Sequence, residues 1–305
     1  MRISFLLAAA EYRNVDGPRG RCQHAIRVGL NALGHDVEID DPDNGGHIAS
    51  TTPPPDAAFI WNGVKGGRVD AVRAMRQAGV PVYIMERGFF NRMYWTQIDT
   101  KGFNHRASWC CDMLCEPAPL EGRGRFEAVW GAPVVPLAPR EGGYILVLGQ
   151  TSGDAQLSES EVTHPKPLIQ AMERALPDKY ELVFRPHPVY AWRCRGTRAT
   201  ECVAGSLKEA VAGARFVVTI NSNSGNEALA WGCPVVAFGP APYCKAGAAT
   251  PASVSQLPDV LLGALRGEVP DAAVVENYLY HLACRQYGID ELRSGEALVP
   301  LLTQP

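Results

Sequence analysis

The chain has 305 residues and a formal net charge of -3 at pH 7, and 46% of its residues are hydrophobic. That length suits two α/β domains of about 150 residues each, and the composition is typical of a globular protein with sizeable cores. The slightly negative net charge gives no global sign of nucleic-acid binding.

The first half of the chain alternates strand and helix patterns, which predicts a parallel sheet. Short apolar runs typical of buried strands lie at 3–8, 35–39, 57–61 and 80–85. Helical spacing of apolar residues occupies 22–33 and 68–78, whereas the proline- and glycine-rich segment 40–55 is predicted to be a loop. We therefore expect a first Rossmann-like domain over residues 1–135. Its segment 87–130 shows no regular pattern, and such long irregular segments are usually functional.

A break follows at 131–143, where three prolines and three glycines rule out a regular element. Beyond it, a second alternating series begins. Its predicted strands lie at 144–148, 181–184, 216–220 and 234–238. Its predicted helices lie at 166–176, 206–212, 224–231, 254–265 and 272–286. We therefore predict a second Rossmann-like domain over 143–305, with C-terminal helices that could cross back to the first.

A cation and an imidazole follow the predicted strand 181–184, in the sequence Arg185-Pro186-His187-Pro188. Ligands of open α/β sheets bind at the carboxyl ends of the strands. The two prolines hold His187 in an extended loop, where its ring could donate to a phosphate beside the guanidinium of Arg185. The alternative is a histidine that caps a turn beside a surface arginine.

Hydroxyls and backbone N–H groups follow the next predicted strand, in the sequence Asn221-Ser222-Asn223-Ser224-Gly225-Asn226-Glu227. The start of a helix suits an anion, and Gly225 would allow a ligand to approach closely. Ser224 and Glu227 also fit a plain capping box, which is the structural alternative. Because both clusters end strands of one sheet, we predict a pocket for a phosphorylated ligand, with a nucleotide-sugar as the leading candidate.

Two blocks of the second half resemble the capsule polysaccharide biosynthesis family, which includes bacterial Kdo transferases: R-P-H-P at 185–188 and S-N-S-G-x-E-A-L-x-x-G-x-P-V-V-A-F-G at 222–239. In the first half, E-R-G-F-F at 86–90 and the segment from Asp99 to Ser108 are similar to the family's pattern. The resemblance implies a glycosyltransferase of the GT-B type, an α/β protein with two Rossmann-like domains facing a central cleft. It also implies a UDP- or CMP-linked nucleotide-sugar as co-substrate and no other cofactor.

The resemblance further implies that the second domain binds the donor. His187 would meet the donor phosphate together with the serines of the S-N-S-G block, and Glu227 would reach the ribose or the base. Gln150 and Asp154 would lie near the sugar. The donor-side candidates are Gln150, Asp154, Arg185, His187, Ser222, Asn223, Ser224, Gly225 and Glu227.

Glycosyl transfer also needs a base for the acceptor hydroxyl, or a nucleophile if it proceeds by double displacement. We expect the first domain to supply the catalytic base, with Asp99 as the first choice and Glu86 as the second. Asp99 could instead cap the turn before Gly102, and Glu86 could pair with a neighbouring arginine. The acceptor-side candidates are Glu11, Arg19, Arg21, Arg92 and Asn104.

The sequence D-P-D at 41–43 is formally a D-x-D motif, but it stands in a polar loop without the strand that such a metal site requires. Cys110, Cys111 and Cys115 lack the C-x-x-C pairs of a zinc site. We therefore predict no essential metal ion. The nine cysteines are an odd number in a large chain, and no apolar run approaches the about 20 residues of a membrane span. We expect reduced thiols, a cytoplasmic location and no integral membrane association.

The acceptor is less determined than the donor. A surface glycan or glycolipid is slightly favoured by the resemblance. The alternative is a phage-type enzyme of the host cytoplasm that glycosylates a hydroxymethylated pyrimidine in double-stranded DNA, because loop arginines and exposed aromatic residues would suit a flipped base. A sugar-nucleotide epimerase and a lectin-like module that binds a nucleotide-sugar without turnover are further alternatives.

Overall fold

The computed structural model describes residues 1–8, 16–64, 66–110, 116–189 and 192–303. The chain forms two compact units, Met1–Cys111 with Leu282–Pro305, and Asp112–His281. The acceptor-side candidate Glu11 lies outside the described residues. Within the described ranges, no helix is both long and apolar enough to cross a membrane.

Strands and helices alternate along most of the chain, as the sequence pattern predicts. The strands are β1 (Arg2–Leu6), β2 (Asp36–Asp40), β3 (Ala57–Trp61), β4 (Val82–Arg87), β5 (Trp95–Asp99), β6 (Tyr144–Leu148), β7 (Leu182–Arg185), β8 (Thr200–Glu201), β9 (Ala214–Thr219), β10 (Val235–Ala237), β11 (Thr250–Pro251) and β12 (Tyr287–Gly288). The α-helices are α1 (Pro18–Ala32), α2 (Gly45–Ala49), α3 (Gly67–Gln77), α4 (Gly122–Trp130), α5 (Pro165–Ala175), α6 (Leu207–Ala212), α7 (Ser224–Ala230), α8 (Pro242–Lys245), α9 (Leu257–Leu265), α10 (Ala272–Cys284), α11 (Ile289–Ser294) and α12 (Leu298–Thr303).

The first unit is built on a six-stranded sheet with the order β12-β5-β4-β3-β1-β2. Strands β1 to β4 pair in parallel, whereas β5 is antiparallel to β4 and β12 is antiparallel to β5. Every residue of β3 is buried, as expected for a parallel strand covered on both faces. The rings of Phe5, Phe59 and Tyr83 stack across three neighbouring strands, with centroid separations of 6.0 and 4.7 Å. This row of rings joins the core that α1 and α12 cover.

The segment 40–55, predicted to be a loop, contains a short 3-10 helix, Pro42–Asn44, and α2. Asp41 caps the 3-10 helix, because its carboxylate accepts from the backbone N–H of Asp43 at 3.0 Å. α2 packs so closely on α3 that a Cβ added to Gly45 would lie 2.4 Å from the nearest side-chain atom. The first carboxylate of the D-x-D sequence therefore serves locally as a helix cap.

The segment 87–130, predicted to be irregular, contains β5 and α4. β5 has no apolar run that would reveal it in the sequence, because Thr96 and Gln97 are polar. Both side chains are nevertheless buried, with 0% and 2% of their surface exposed. Thr96 Oγ1 donates to the carbonyl oxygen of Glu86 at 2.6 Å, and Gln97 Nε2 donates to that of Arg87 at 2.9 Å. These bonds satisfy the buried polar groups, so a polar sequence can occupy an interior strand.

The second unit is built on a parallel six-stranded sheet with the order β11-β10-β9-β6-β7-β8. From β6 the chain proceeds through β7 and β8 on one side, and it returns to the other side at β9. The strand order thus reverses between β6 and β9, and open α/β sheets commonly bind ligands at the carboxyl ends of two such strands. Phe184, Phe216 and Val218 of this sheet pack with residues of α5 and α9 in one core.

The C-terminal segment 282–305 belongs to the first unit, where β12 extends the sheet and α11 packs on α1. Conversely, α4 belongs to the second unit. The boundary between the predicted domains, 1–135 and 143–305, lies at the proline- and glycine-rich break at 131–143. That break marks where regular structure stops, whereas the compact units are defined by contacts between residues far apart in the chain.

Gly29 of α1 lies where α11 approaches, and a Cβ there would be 1.9 Å from the carbonyl oxygen of Leu292. Gly29→Ala should force the two helices apart and lower the free energy of unfolding by about 1–3 kcal/mol, as overpacking does. Hydrogen exchange of α1 during chemical denaturation measures this loss.

Gly124→Ala is the matched control, because Gly124 also lies within a helix and an added Cβ meets nothing within 4 Å. Alanine there should be neutral or stabilise by up to about 1 kcal/mol. Equal stability changes in the two variants would contradict the close packing of α1 on α11.

Candidate functional site

Two buried amide side chains meet at the carboxyl end of the second sheet. Gln150 follows β6 and is 3% exposed, and Asn221 follows β9 and is 1% exposed. Gln150 Nε2 donates to Asn221 Oδ1 at 2.9 Å, and the backbone N–H of Asn221 donates to Gln150 Oε1 at 3.3 Å. This reciprocal pair, hereafter the amide clasp, joins the loop after β6 to the loop after β9. Asn221 stands in the predicted block, but its sequence context gave it no role of its own.

The amide clasp extends into the loop after β6. Asn221 Nδ2 donates to the carbonyl oxygen of Gln156 at 2.7 Å and to Ser160 Oγ at 3.0 Å. The donor-side candidate Asp154 caps the 3-10 helix Ala155–Glu159, and its Oδ1 accepts from the backbone N–H of Gln156 at 3.0 Å. Asp154 is therefore tied to the clasp through Gln156.

The glycine that ends the block 222–239 lies against the same network. A Cβ at Gly239 would be 2.4 Å from Ser160 Oγ and 3.2 Å from Asn221 Nδ2. A larger residue would push into these hydrogen bonds, so the loop after β10 can close on the clasp only with glycine at this position.

α7 starts directly after the clasp, among the donor-side candidates. Asn223 is its N-cap residue without a side-chain cap bond, so Ser224 and Glu227 do not form the capping box that was the alternative. Ser222 Oγ accepts from the backbone N–H of Ser224 at 3.3 Å, and the N–H of Gly225 donates to the carbonyl oxygen of Ser222 at 3.0 Å. Ser222 is buried, whereas the side chains of Asn223, Ser224 and Glu227 are half-buried.

A protein contact requires the glycine at position 225. A Cβ there would lie 2.9 Å from the ring of Tyr243. Tyr243 is 1% exposed, and burial raises the pKa of its hydroxyl well above the usual value. The hydroxyl therefore stays protonated, and it donates to the carbonyl oxygen of Ser222 at 3.1 Å. The close approach expected of a ligand at Gly225 is made by Tyr243.

The two candidates at the carboxyl end of β7, Arg185 and His187, have different partners. The guanidinium of Arg185 donates to the carbonyl oxygens of Ala204 and Gly205 at 3.1 and 2.6 Å, which ties β7 to the loop after β8. His187 is half-buried, and its Nδ1 accepts from the backbone N–H of Val189 at 3.3 Å. A neutral ring with this bond carries its proton on Nε2.

In the first unit, the carboxyl ends of β3 and β4 bring Asn62 and Glu86 together. Asn62 adopts a left-handed backbone with φ of 67°, and its Nδ2 donates to Glu86 Oε2 at 2.7 Å. Glu86 Oε1 accepts from the backbone N–H of Arg87 at 2.9 Å. A half-buried carboxylate is thereby held in a defined orientation at the edge where α/β sheets bind ligands.

Asp99, the first choice for the catalytic base, ends β5 and is 6% exposed. Its carboxylate accepts from the backbone N–H groups of Lys101 at 2.7 Å, Gly102 at 3.0 Å and Ser108 at 3.0 Å. It also accepts from the hydroxyl of Ser108 at 2.5 Å. Asp99 therefore holds the loop 100–108 in place, which matches the turn-capping alternative that its sequence left open.

Two acceptor-side arginines lie over aromatic rings near the start of α1. The guanidinium carbon of Arg19 is 5.2 Å from the ring centroid of Trp61, and that of Arg21 is 5.7 Å from the ring centroid of Tyr94. Such stacking orients a guanidinium without removing its charge. These two residues therefore present oriented cations in the first unit.

The other two acceptor-side candidates serve the local fold. Arg92 Nε donates to the carbonyl oxygen of Gly88 at 3.1 Å. Asn104 is 7% exposed and exchanges two hydrogen bonds of 2.9 Å with the side chain of Gln97, one of them through its backbone N–H. Its left-handed backbone, with φ of 53°, is tolerated by asparagine better than by most residues.

No group of three or more His, Cys, Asp and Glu side chains in the described residues is arranged to hold a metal ion. Whether transfer needs a metal ion stays a prediction.

Asn221→Leu should break the amide clasp, because Gln150 Nε2 would lose its acceptor and the carbonyl oxygen of Gln156 would lose its donor, whereas the backbone N–H of residue 221 could still donate to Gln150 Oε1. We expect the free energy of unfolding to fall by about 2–4 kcal/mol, since each buried unsatisfied group costs roughly 1–3 kcal/mol. Hydrogen exchange of the loops 149–160 and 220–225 should accelerate. Asn31→Leu, the same exchange at an exposed position, should stay within about 0.5 kcal/mol of the wild type. A similarly small change for Asn221→Leu would contradict the role of the clasp.

Residues 131–256 match the family model described as capsule polysaccharide biosynthesis protein. All nine donor-side candidates lie within this segment. No curated protein has a significantly similar sequence.

Solved structures share the fold of the whole chain. The beta Kdo 2,7 transferase of Thermosulfurimonas dismutans KpsC is 15% identical, with a TM-score of 0.63 over 98% of this chain and 99% of that chain. The beta Kdo 2,4 transferase of the same KpsC is 16% identical, with a TM-score of 0.63 over 96% of this chain and 98% of that chain. The predicted α/β fold class with two Rossmann-like domains of the GT-B type is confirmed. The resemblance stated from the motifs is confirmed as well: residues 131–256 carry the pattern of the capsule polysaccharide biosynthesis family.

Proposed function

We propose that this protein is a glycosyltransferase that moves a sugar from a nucleotide-sugar to a hydroxyl group of a surface glycan or glycolipid. The observation that carries the proposal is the place of the donor-side candidates. They lie at or directly after the carboxyl ends of β6, β7 and β9, at one edge of the second sheet and inside the segment that matches the capsule polysaccharide biosynthesis family. The fold shared with two Kdo transferases supports the same class of reaction.

The second unit would bind the UDP- or CMP-linked donor through its phosphate. The Nε2 proton of His187 can donate to a phosphate oxygen because Nδ1 is the acceptor within the loop. The hydroxyl of Ser222 accepts from the N–H of Ser224 and keeps its own proton to donate. Gln150 and Asp154, fixed through the amide clasp, would lie near the sugar. Arg185 would act indirectly, because its guanidinium is engaged with the loop after β8.

The first unit would supply the catalytic base, and its geometry favours Glu86 over Asp99. The carboxylate of Asp99 accepts from three backbone N–H groups and a hydroxyl, so receiving a further proton would disrupt the loop it holds. Glu86 accepts one side-chain and one backbone hydrogen bond and is less buried. We therefore propose Glu86 as the base and Asp99 as a positioning residue.

The transfer step then uses these groups as follows. The acceptor hydroxyl oxygen forms a bond to the anomeric carbon, and its proton passes to the carboxylate of Glu86. The bond between the same anomeric carbon and the phosphate oxygen of the donor breaks, and the nucleotide leaves with the electron pair. Hydrogen bonds from His187 and Ser222 would stabilise the negative charge that develops on the phosphate.

Release of nucleotide tests this function against its alternatives. CMP- and UDP-linked sugars would be incubated with the protein, with and without a glycan acceptor. The proposal predicts nucleotide release that depends on the glycan, and no stimulation by hydroxymethylated double-stranded DNA. Conversion of the donor to an epimer without an acceptor, or release that only DNA stimulates, would overturn it. The family match and the two Kdo transferases give the DNA alternative no support.

Glu86→Gln should lower kcat by about 10²–10⁴, the usual contribution of a general base, and leave donor affinity unchanged. Asp99→Asn should chiefly lower stability, because an amide N–H₂ would face N–H donors in a buried site. Steady-state kinetics and thermal unfolding of both variants separate the two roles. A stable Asp99→Asn protein without transfer activity, together with an active Glu86→Gln protein, would return the base assignment to Asp99.

A further inference from the structure

A pocket of about 800 Å³ lies within the first unit, apart from the carboxylate of Glu86 and its partner Asn62. Three parts of the chain line it: the start of α1, the start of β5 and the C-terminal segment at β12 and α11. Its volume is that of pockets that enclose small organic ligands. None of the predicted functions assigned a role to the C-terminal segment.

The C-terminal wall is fixed to the rest of the pocket by backbone pairing. Gly288 pairs with Trp95, and the backbone N–H of Ile289 donates to the carbonyl oxygen of Tyr94 at 3.0 Å. The backbone N–H of Gly288 donates to the carboxylate of Glu291 at 2.8 Å, which closes the first turn of α11. The pocket is therefore part of the folded sheet rather than a gap between loops.

The pocket lies at the ligand-binding edge of the first sheet. β5 runs antiparallel to β4, so its first residues stand beside the carboxyl end of β4. The backbone N–H of Gly88 donates to the carbonyl oxygen of Trp95 at 2.7 Å, and Thr96 Oγ1 donates to the carbonyl oxygen of Glu86. The aromatic wall is thus built on the strand next to the proposed base.

The lining combines an exposed aromatic ring with charges of both signs. Tyr94 is 47% exposed, and the guanidinium of Arg21 lies 5.7 Å from its ring centroid. On α11, Arg293 and Asp290 of the lining form an ion pair three positions apart, with 3.5 Å between the guanidinium nitrogen and the carboxylate oxygen. A sugar ring has an apolar C–H face that can stack on an aromatic ring, and hydroxyls that both accept from guanidinium groups and donate to carboxylates.

The charge balance of the lining is unfavourable to a strongly anionic ligand. Besides His24, the lining holds two arginines, Arg21 and Arg293, and three carboxylates, those of Asp16, Asp290 and Glu291. A phosphate-rich ligand would gain little net attraction from such a surface, whereas an uncharged polyhydroxylated ligand meets both donors and acceptors. We propose that this pocket binds an uncharged sugar unit of the glycan acceptor, with Tyr94 as its stacking platform. This inference rests on the proposed function and names the acceptor chemistry for it.

Methyl glycosides and short oligosaccharides of neutral hexoses are the probes. Saturation-transfer NMR and intrinsic tryptophan fluorescence, to which Trp95 of the lining contributes, are the measurements. Tyr94→Ala should weaken binding of a responsive probe by about tenfold, as truncation of an aromatic contact does. Met93→Ala is the matched control, because Met93 is the adjacent residue with 45% exposure and lies outside the lining. It should change affinity by less than about twofold. Arg293→Gln, a second lining variant, should also weaken the probe.

The outcomes separate this inference from the proposed function. Saccharide binding that Tyr94→Ala and Arg293→Gln leave intact would overturn the pocket assignment, even if glycan-dependent nucleotide release is observed. Binding of a DNA oligonucleotide that depends on Tyr94, with none of a saccharide, would overturn it too. Tyr94-dependent saccharide binding in a protein that binds no nucleotide-sugar would uphold the pocket and refute the transferase.

Discussion

The hydrogen-bonded pair of Gln150 and Asn221 is the interaction on which the proposed donor site depends. The two loops that it joins leave neighbouring strands at the point where the strand order of the second sheet reverses, so nothing in the sheet itself holds them together. Both amides are buried, and a buried amide that loses its partner costs roughly 1–3 kcal/mol. A complete network in a poorly solvated site therefore has one preferred arrangement. The hydroxyl of Ser222 and the backbone that leads into α7 follow Asn221 directly, so the same network fixes their positions.

In the first unit too, buried or half-buried polar side chains hold loops and other side chains in place by hydrogen bonds. Gln97 fastens β4 to Asn104, Asp99 fastens the loop 100–108, and Asn62 orients Glu86. In each case a buried or half-buried polar side chain satisfies backbone groups, or a second side chain, beyond the end of a strand. Side chains used in this way are fixed before a substrate arrives, and preorganised groups are the ones that lower a reaction barrier most. The C-terminal segment adds to this edge by pairing with β5 and forming one wall of the pocket.

The parts of the fold that follow from local pattern could be predicted from the sequence. β3 and β6 coincide with the apolar runs 57–61 and 144–148, because a strand buried on both faces needs an uninterrupted run. The loops after β6, β7 and β9 were recognisable because proline, glycine and hydroxyl residues follow those runs directly. β5 was not recognisable, since its buried side chains are polar and are satisfied only by groups from β4.

The roles of individual site residues depended on partners that no local pattern reveals. Asn221 and Gln150 meet because β6 and β9 are neighbours in the sheet, although five other elements of the described residues separate these strands in the chain. The cation of Arg185 turns toward the loop after β8, and the carboxylate of Asp99 turns into its own loop. Residue types thus predicted which side chains could bind a phosphate or accept a proton. Contacts between distant parts of the chain decide which of these side chains are engaged by the protein itself.

The affinity for the nucleotide-sugar donor, measured by titration calorimetry in two histidine variants, tests the central claim most directly. His164 resembles His187 closely: each precedes a proline, and each accepts through Nδ1 from the backbone N–H two residues on, at 3.0 and 3.3 Å. If the donor phosphate binds at the carboxyl edge of the second sheet, His187→Ala should weaken donor affinity by roughly 10- to 150-fold, corresponding to about 1.5–3 kcal/mol. His164→Ala should leave donor affinity unchanged. Unchanged affinity in His187→Ala, or an equal loss in both variants, would contradict the account.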